Sequence, residues 1–265
     1  MIKLIGIPYD KNSSFLRGPA LAPPKIREMD VSGSANRFSE SGVELIQGKN
    51  YIDLGDLNCV EDDSKVAFNK IKNSISNNLD PEARILSIGG DHSISYPIIE
   101  AHVSRYPDLH VLQIDAHADL YEDFEGNPHS HASPFARLLE KGLLGSLTQV
   151  GLRSMTTHLN EQAKRYGVSC IEMKALNFDF VRELKGPLYI SLDLDAIDPA
   201  FAPGVSHHEP GGLSSRDVLK IIHDIRVPVI GADIVELNPN RDLNNVTAML
   251  AYKLFKELAA KMINN

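Results

Sequence analysis

Residues 111–120, VLQIDAHADL, decide the fold. The apolar run of Val111, Leu112 and Ile114 reads as a strand buried in a parallel sheet, and it stops abruptly at Asp115, His117 and Asp119. Residues two apart on an extended chain project to one side. Two carboxylates and an imidazole are therefore expected to converge at the carboxyl end of the strand, where open α/β sheets bind ligands. Residues 189–199, YISLDLDAIDP, repeat the design and close on Asp193 and Asp195. A third apolar segment, residues 85–93 (ILSIGGDHS), delivers His92 after a glycine pair.

Strand-like segments recur outward from these three, at 2–8, 51–54, 148–152, 168–171 and 229–235, and 111–114 and 188–194 complete the central set with 85–88. Helical patterns fall between them at 62–79, 93–105, 134–141, 157–165, 214–225 and 244–262, the last with a broad apolar stripe that includes Leu250, Leu254 and Leu258. Such alternation requires crossover connections. It predicts a three-layer α/β/α fold around a central, mainly parallel sheet of about eight strands, built as one domain over 1–265. Long loops rich in Pro, Gly and Ser, at 10–24, 121–133 and 200–212, are expected to carry function.

Composition narrows the partners. Apolar residues make up 43% and charged residues 23%, as in an ordinary globular protein, and the formal charge of −8 argues against nucleic acid or an anionic membrane surface. Cys59 and Cys170 form neither a disulfide framework nor a metal spacing, and are read as reduced core residues. Met1 runs straight into strand-like IKLIGIP, and no apolar stretch is long enough to span a bilayer. The expectation is a cytoplasmic protein that does not associate with membranes.

His92, Asp115, His117, Asp119, Asp193 and Asp195 together offer four carboxylates and two imidazoles. A lone Asp at a strand end is most often a helix cap or turn former; Asp198, before Pro199, is assigned a turn role, and Asp91 is read as orienting loop backbone or a neighbouring ligand. The joint pattern differs, because four carboxylates in one cleft repel one another unless cations neutralise them. Two divalent ions would halve the formal charge. Oxygen-rich donors with two nitrogens and no sulfur suit Mn²⁺ rather than a structural zinc. Two such ions, roughly 3.5 Å apart and sharing Asp115 and Asp193, would acidify a water and make it a nucleophile near neutral pH. The implied chemistry is hydrolysis.

The motifs GGDHS (89–93), DAHAD (115–119), SLDLDAIDPAFAPG (191–204) and VELNP (235–239) together resemble the ureohydrolases, the family of arginases, agmatinases and their relatives. The likeness spans nearly the whole chain. It is nearest to plant-type members through NSSFLRGPALAPPKIRE, FEGNPHSHASPFAR and DPAFAPGVSHHEPGGLSSRDVL. It implies an arginase-like fold, two Mn²⁺ per subunit, a small guanidino substrate and a homo-oligomer of three or six chains. One manganese would take His92, Asp115, Asp119 and Asp193, and the other Asp115, His117, Asp193 and Asp195. Glu236 would pair with the guanidinium, His131 would shuttle protons, and Asp119 would join them in catalysis, while Asn127 and Ser130 would bind the substrate's α-carboxylate. Ser154 to Thr157 stand where animal arginases have an aspartate for the α-amino group, with Glu161 the candidate substitute, and Ala132 follows His131 where many members have glycine. L-arginine, giving L-ornithine and urea, is the implied substrate. Agmatine or a guanidino acid is the alternative, ahead of a non-catalytic metal-binding relative or a deacetylase with a single zinc.

Overall fold

The computed structural model describes residues 1–264. Eight strands form one parallel sheet: β1 (Ile2–Ile7), β2 (Tyr51–Asp56), β3 (Arg84–Gly89), β4 (His110–Ile114), β5 (Ser146–Leu152), β6 (Ser169–Glu172), β7 (Leu188–Asp193) and β8 (Val229–Val235). Their order is β2-β1-β3-β8-β7-β4-β5-β6, and every neighbouring pair is parallel. The sheet is thus parallel throughout, and each strand-like segment of the sequence is one of its members.

Seven helices cover it: α1 (Ala22–Val31), α2 (Ser64–Asn78), α3 (Ser95–Val103), α4 (Pro134–Glu140), α5 (Thr157–Tyr166), α6 (Ser215–Asp224) and α7 (Val246–Asn264). Side-chain parity sorts the two faces. Leu112 and Ile114 of β4, with Ile190 and Leu192 of β7, pack toward α1, α6 and α7. Val111 and Tyr189 point the other way, into the core made with α2, α3, α4 and α5. Both faces are therefore dry, which is why the central strands read as continuous apolar runs rather than alternating ones.

One helix escaped the sequence reading. α1 begins inside the stretch taken as the loop 10–24, with Pro23 and Pro24 in its first turn. Those prolines looked like loop residues, but a first helical turn has no intrahelical use for their missing N–H groups and accepts their fixed φ.

Candidate active site

β3 exits through Gly89 and Gly90. A Cβ on Gly90 would lie 1.8 Å from the carbonyl oxygen of Tyr9, so only glycine lets the two backbones pass. Asp91 follows, accepting from the amides of Ser93 at 3.1 Å and Asn12 at 3.0 Å. It organises loop backbone, the structural role assigned to it from sequence, and burial raises its pKa to about 7.

His92 points into the space between strand ends. Its Nδ1 lies 3.0 Å from Asp115 Oδ2, 2.9 Å from Asp119 Oδ2 and 3.2 Å from Asp193 Oδ2. Behind the ring, the Ser191 hydroxyl donates to Asp233 Oδ1 at 2.7 Å, so its oxygen accepts from His92 Nε2 at 2.9 Å. The Nδ1 lone pair therefore faces three carboxylates, and among the described residues Nδ1 makes no directed hydrogen bond. A buried lone pair against three anionic oxygens is unfavourable unless a proton or a cation lies between them. That nitrogen is the observation by which the donor set fits a divalent metal.

A second cluster adjoins the first. His117 Nδ1 is 3.0 Å from Asp195 Oδ2 and 3.6 Å from Asp115 Oδ1. The ligand atoms of His92, Asp115 and Asp119 lie within 4.8 Å of one another, and so do those of Asp115, His117 and Asp195. Asp115 belongs to both and can bridge them, its Oδ1 also accepting from the His117 amide at 2.6 Å. Asp193 sits with His92 through Oδ2, while its Oδ1 accepts from the Asp195 amide at 2.8 Å. Burial together with the neighbouring Asp115 raises the Asp119 pKa to about 6, and burial with Asp195 and Asp115 raises that of Asp193 well above the carboxylate range. This is the crowding that a pair of cations would relieve.

The convergence does not arise by strand alternation as expected. β4 ends at Ile114 and residues 115–119 turn as a loop, with Asp119 at φ 52°. Asp119 and His117 thereby reach different clusters instead of sharing one side of an extended chain. Glu236, just after β8, is likewise left-handed at φ 65°. Non-glycine residues held in this region are uncommon and cluster at functional sites.

Glu236 and His131 form the other half of the site. Glu236 Oε1 accepts from the His92 amide at 3.0 Å and from His131 Nδ1 at 2.7 Å. His131 Nε2 lies 2.8 Å from the Ser14 hydroxyl oxygen, so both ring nitrogens have acceptors when the imidazole is charged. Against the opposing pull of burial, the Glu236 carboxylate lifts the His131 pKa to about 9. Oε1 is thus already taken by two donors, and Oε2 is the oxygen open to a guanidinium.

These groups line one cavity of about 200 Å³, with His92, His117, Asp119, Asp193, Asp195 and Glu236 at its base. Asn127 and Ser130 are not on its wall. The Asn127 Oδ1 accepts from the His129 amide at 2.9 Å, and the Ser130 Oγ from the Ala132 amide at 3.2 Å, so both build the loop that carries His131. Glu161 is exposed on α5 and also lies off the wall. The upper wall is instead Ser14, Tyr121, Phe124, Ala132, Leu159 and His207. His207 sits with its ring centroid 5.4 Å from that of His131 and 5.5 Å from that of Phe15. The sequence reading missed it, although the long loop at 200–212 was a signal.

The sequence profile of the Arginase family matches residues 1–260. Arginase 1, mitochondrial, of Arabidopsis thaliana is 47% identical over 276 residues, covering 98% of this chain and 80% of that protein. An agmatinase of Bacillus cereus is 31% identical over 265 residues, covering 97% and 90%. The solved arginase from Medicago truncatula superposes with a TM-score of 0.92 at 43% identity, over 98% of this chain and 87% of that one. With this match over nearly its whole length, and with the paired His/Asp clusters at its strand ends, the chain belongs to the arginase family.

Proposed function

We propose that the protein hydrolyses the guanidinium group of L-arginine to L-ornithine and urea, using two Mn²⁺ per chain. The observation that carries this reading is the cavity base, where two clusters sharing Asp115 lie beside the open oxygen of Glu236. His92, Asp115, Asp119 and Asp193 would hold one ion, and Asp115, His117, Asp193 and Asp195 the other. When bound, the ions supply Lewis-acid polarisation and a water acidified to near neutral pH. Glu236 Oε2 accepts from the substrate guanidinium and fixes its carbon over the base of the cavity. The Asp119 carboxylate, facing the same space, orients the attacking water by accepting its hydrogen bond. His131, relayed between Glu236 and Ser14, delivers a proton to the departing amine.

Arginine is preferred over agmatine because the 47% identical relative bears the arginase name, whereas the agmatinase stands at 31%. The aromatic and apolar upper wall of Tyr121, Phe124 and Leu159 has no fixed charge to read an α-amino group, which keeps agmatine as the second reading. Urea release from arginine, agmatine and 4-guanidinobutyrate after manganese loading decides between them. Arginine should be turned over fastest, and inertness toward all three would overturn the reading.

A homo-oligomer of three or six chains is part of the same proposal, and Ile52 and Leu54, exposed on the edge strand β2, are the kind of surface such an interface would cover. A reducing compartment, the cytoplasm, is supported by the unpaired Cys59 and Cys170, although the name of the Arabidopsis relative places that protein in mitochondria.

A further inference from the structure

Beneath the strand ends, one row of residues crosses six strands in register. Ser87 pairs with Asp233, Asp233 with Ser191, Ser191 with Gln113, Gln113 with Gln149 and Gln149 with Cys170. All six are polar, whereas the rows on either side are aliphatic across the four central strands β3, β8, β7 and β4. Ser87, Gln113, Gln149, Ser191 and Asp233 are each 0% exposed.

A buried amide is costly unless every polar atom finds a partner. The two glutamines find theirs in one place. Gln113 Nε2 donates to Asp115 Oδ2 at 2.6 Å and to the carbonyl of His117 at 3.1 Å, which uses both of its protons. Gln149 Nε2 donates to Gln113 Oε1 at 2.5 Å and to the carbonyl of Ala118 at 2.6 Å, which uses both of its own. Cys170 Sγ, 3.5 Å away, donates to the remaining oxygen, Gln149 Oε1. The chain of donors thus runs in one direction, from the sheet edge to the carboxylate that belongs to both clusters. Along the way it pins two successive carbonyls of the loop that carries His117 and Asp119.

We propose that Gln113 and Gln149 are positioning residues that hold Asp115 and the 115–119 loop in the geometry that binds metal. Methionine fills the same volume without hydrogen bonds, so Gln113→Met and Gln149→Met remove the donors with little change in packing. The inference rests on Asp115 being a metal ligand.

The test measures Mn²⁺ affinity by calorimetry on chelator-stripped protein, the melting temperature of the metal-free form, and kcat and KM for arginine at saturating Mn²⁺. Gln113→Met should weaken Mn²⁺ binding by about 10- to 100-fold, the range for outer partners of metal ligands, with KM unchanged and kcat reduced. Gln149→Met should act in the same direction and carries the test should Gln113→Met not fold. The double variant should lose less than the product of the two, because the residues act through one chain. Ser87→Ala serves as the control, since Ser87 lies in the same row but its hydroxyl has no hydrogen-bond partner among the described residues. It should bind Mn²⁺ as the wild type does. Unchanged affinity in both methionine variants, or an equal loss in Ser87→Ala, would overturn the proposal while leaving the metal site intact. A wild type that binds no Mn²⁺ would instead overturn the reading of the site itself.

Discussion

Glu236 and His131 are 105 positions apart and meet at 2.7 Å, so no spacing rule connects them. The metal candidates were legible because Asp and His recur at short intervals at the ends of apolar strands. The Glu236–His131 pair was legible only through family likeness, and for His207 the sole signal was the long loop at 200–212 that carries it. The pair makes two predictions. Replacing His131 by Asn should lower kcat by about 10²- to 10⁴-fold, the usual worth of a positioned proton donor, with a small effect on KM. It should also change the pH dependence of stability. The folded-state pKa of His131, about 9, lies above the ordinary histidine value of 6.5. Its contribution is therefore fully present below pH 6.5 and is lost as pH rises toward 9. The melting temperature of the metal-free wild type should exceed that of His131→Asn most at the acid end of this window, and the gap should close by about pH 9. A gap independent of pH would show that the charge pairing contributes nothing.

Element by element, the fold was readable from period and punctuation. Eight apolar segments separated by helical patterns leave few arrangements other than a parallel sheet, and all eight became strands. α6 illustrates a boundary set by local chemistry, since Ser214 and Asp217 form a reciprocal capping box at its start. Ser214→Ala should cost about 1 kcal/mol, measured by denaturant unfolding of the metal-free protein. What pattern could not show was how the 115–119 loop turns. Its course depends on the left-handed Asp119 and on carbonyls held by glutamines from neighbouring strands, both of them tertiary facts. The β3 exit is stricter still. Gly90→Ala forces a Cβ against the Tyr9 carbonyl and should destabilise by about 1–3 kcal/mol while displacing His92, so Mn²⁺ affinity should fall with stability. An alanine variant with normal affinity would mean that the loop yields without moving the imidazole.

Over the whole molecule, parallel pairing brings all strand ends to one edge of the sheet, and crossover helices keep both faces dry. That architecture explains how residues from 14 to 236 share one cavity. It also collects like charges, with Asp115, Asp119, Asp193 and Asp195 all buried at one edge of a chain whose formal charge is −8. Stripping metal should therefore lower the melting temperature. Returning Mn²⁺ at a hundred times its dissociation constant should restore about 2.7 kcal/mol for a single ion bound. The central claim is that Asp115 joins two ion sites into one centre. Electron paramagnetic resonance during Mn²⁺ titration tests it most directly. Wild type should take up two ions per chain with a spin-coupled signal, and Asp115→Asn should lose the coupling along with most urea release. A single uncoupled ion in the wild type, or two coupled ions in Asp115→Asn, would contradict it.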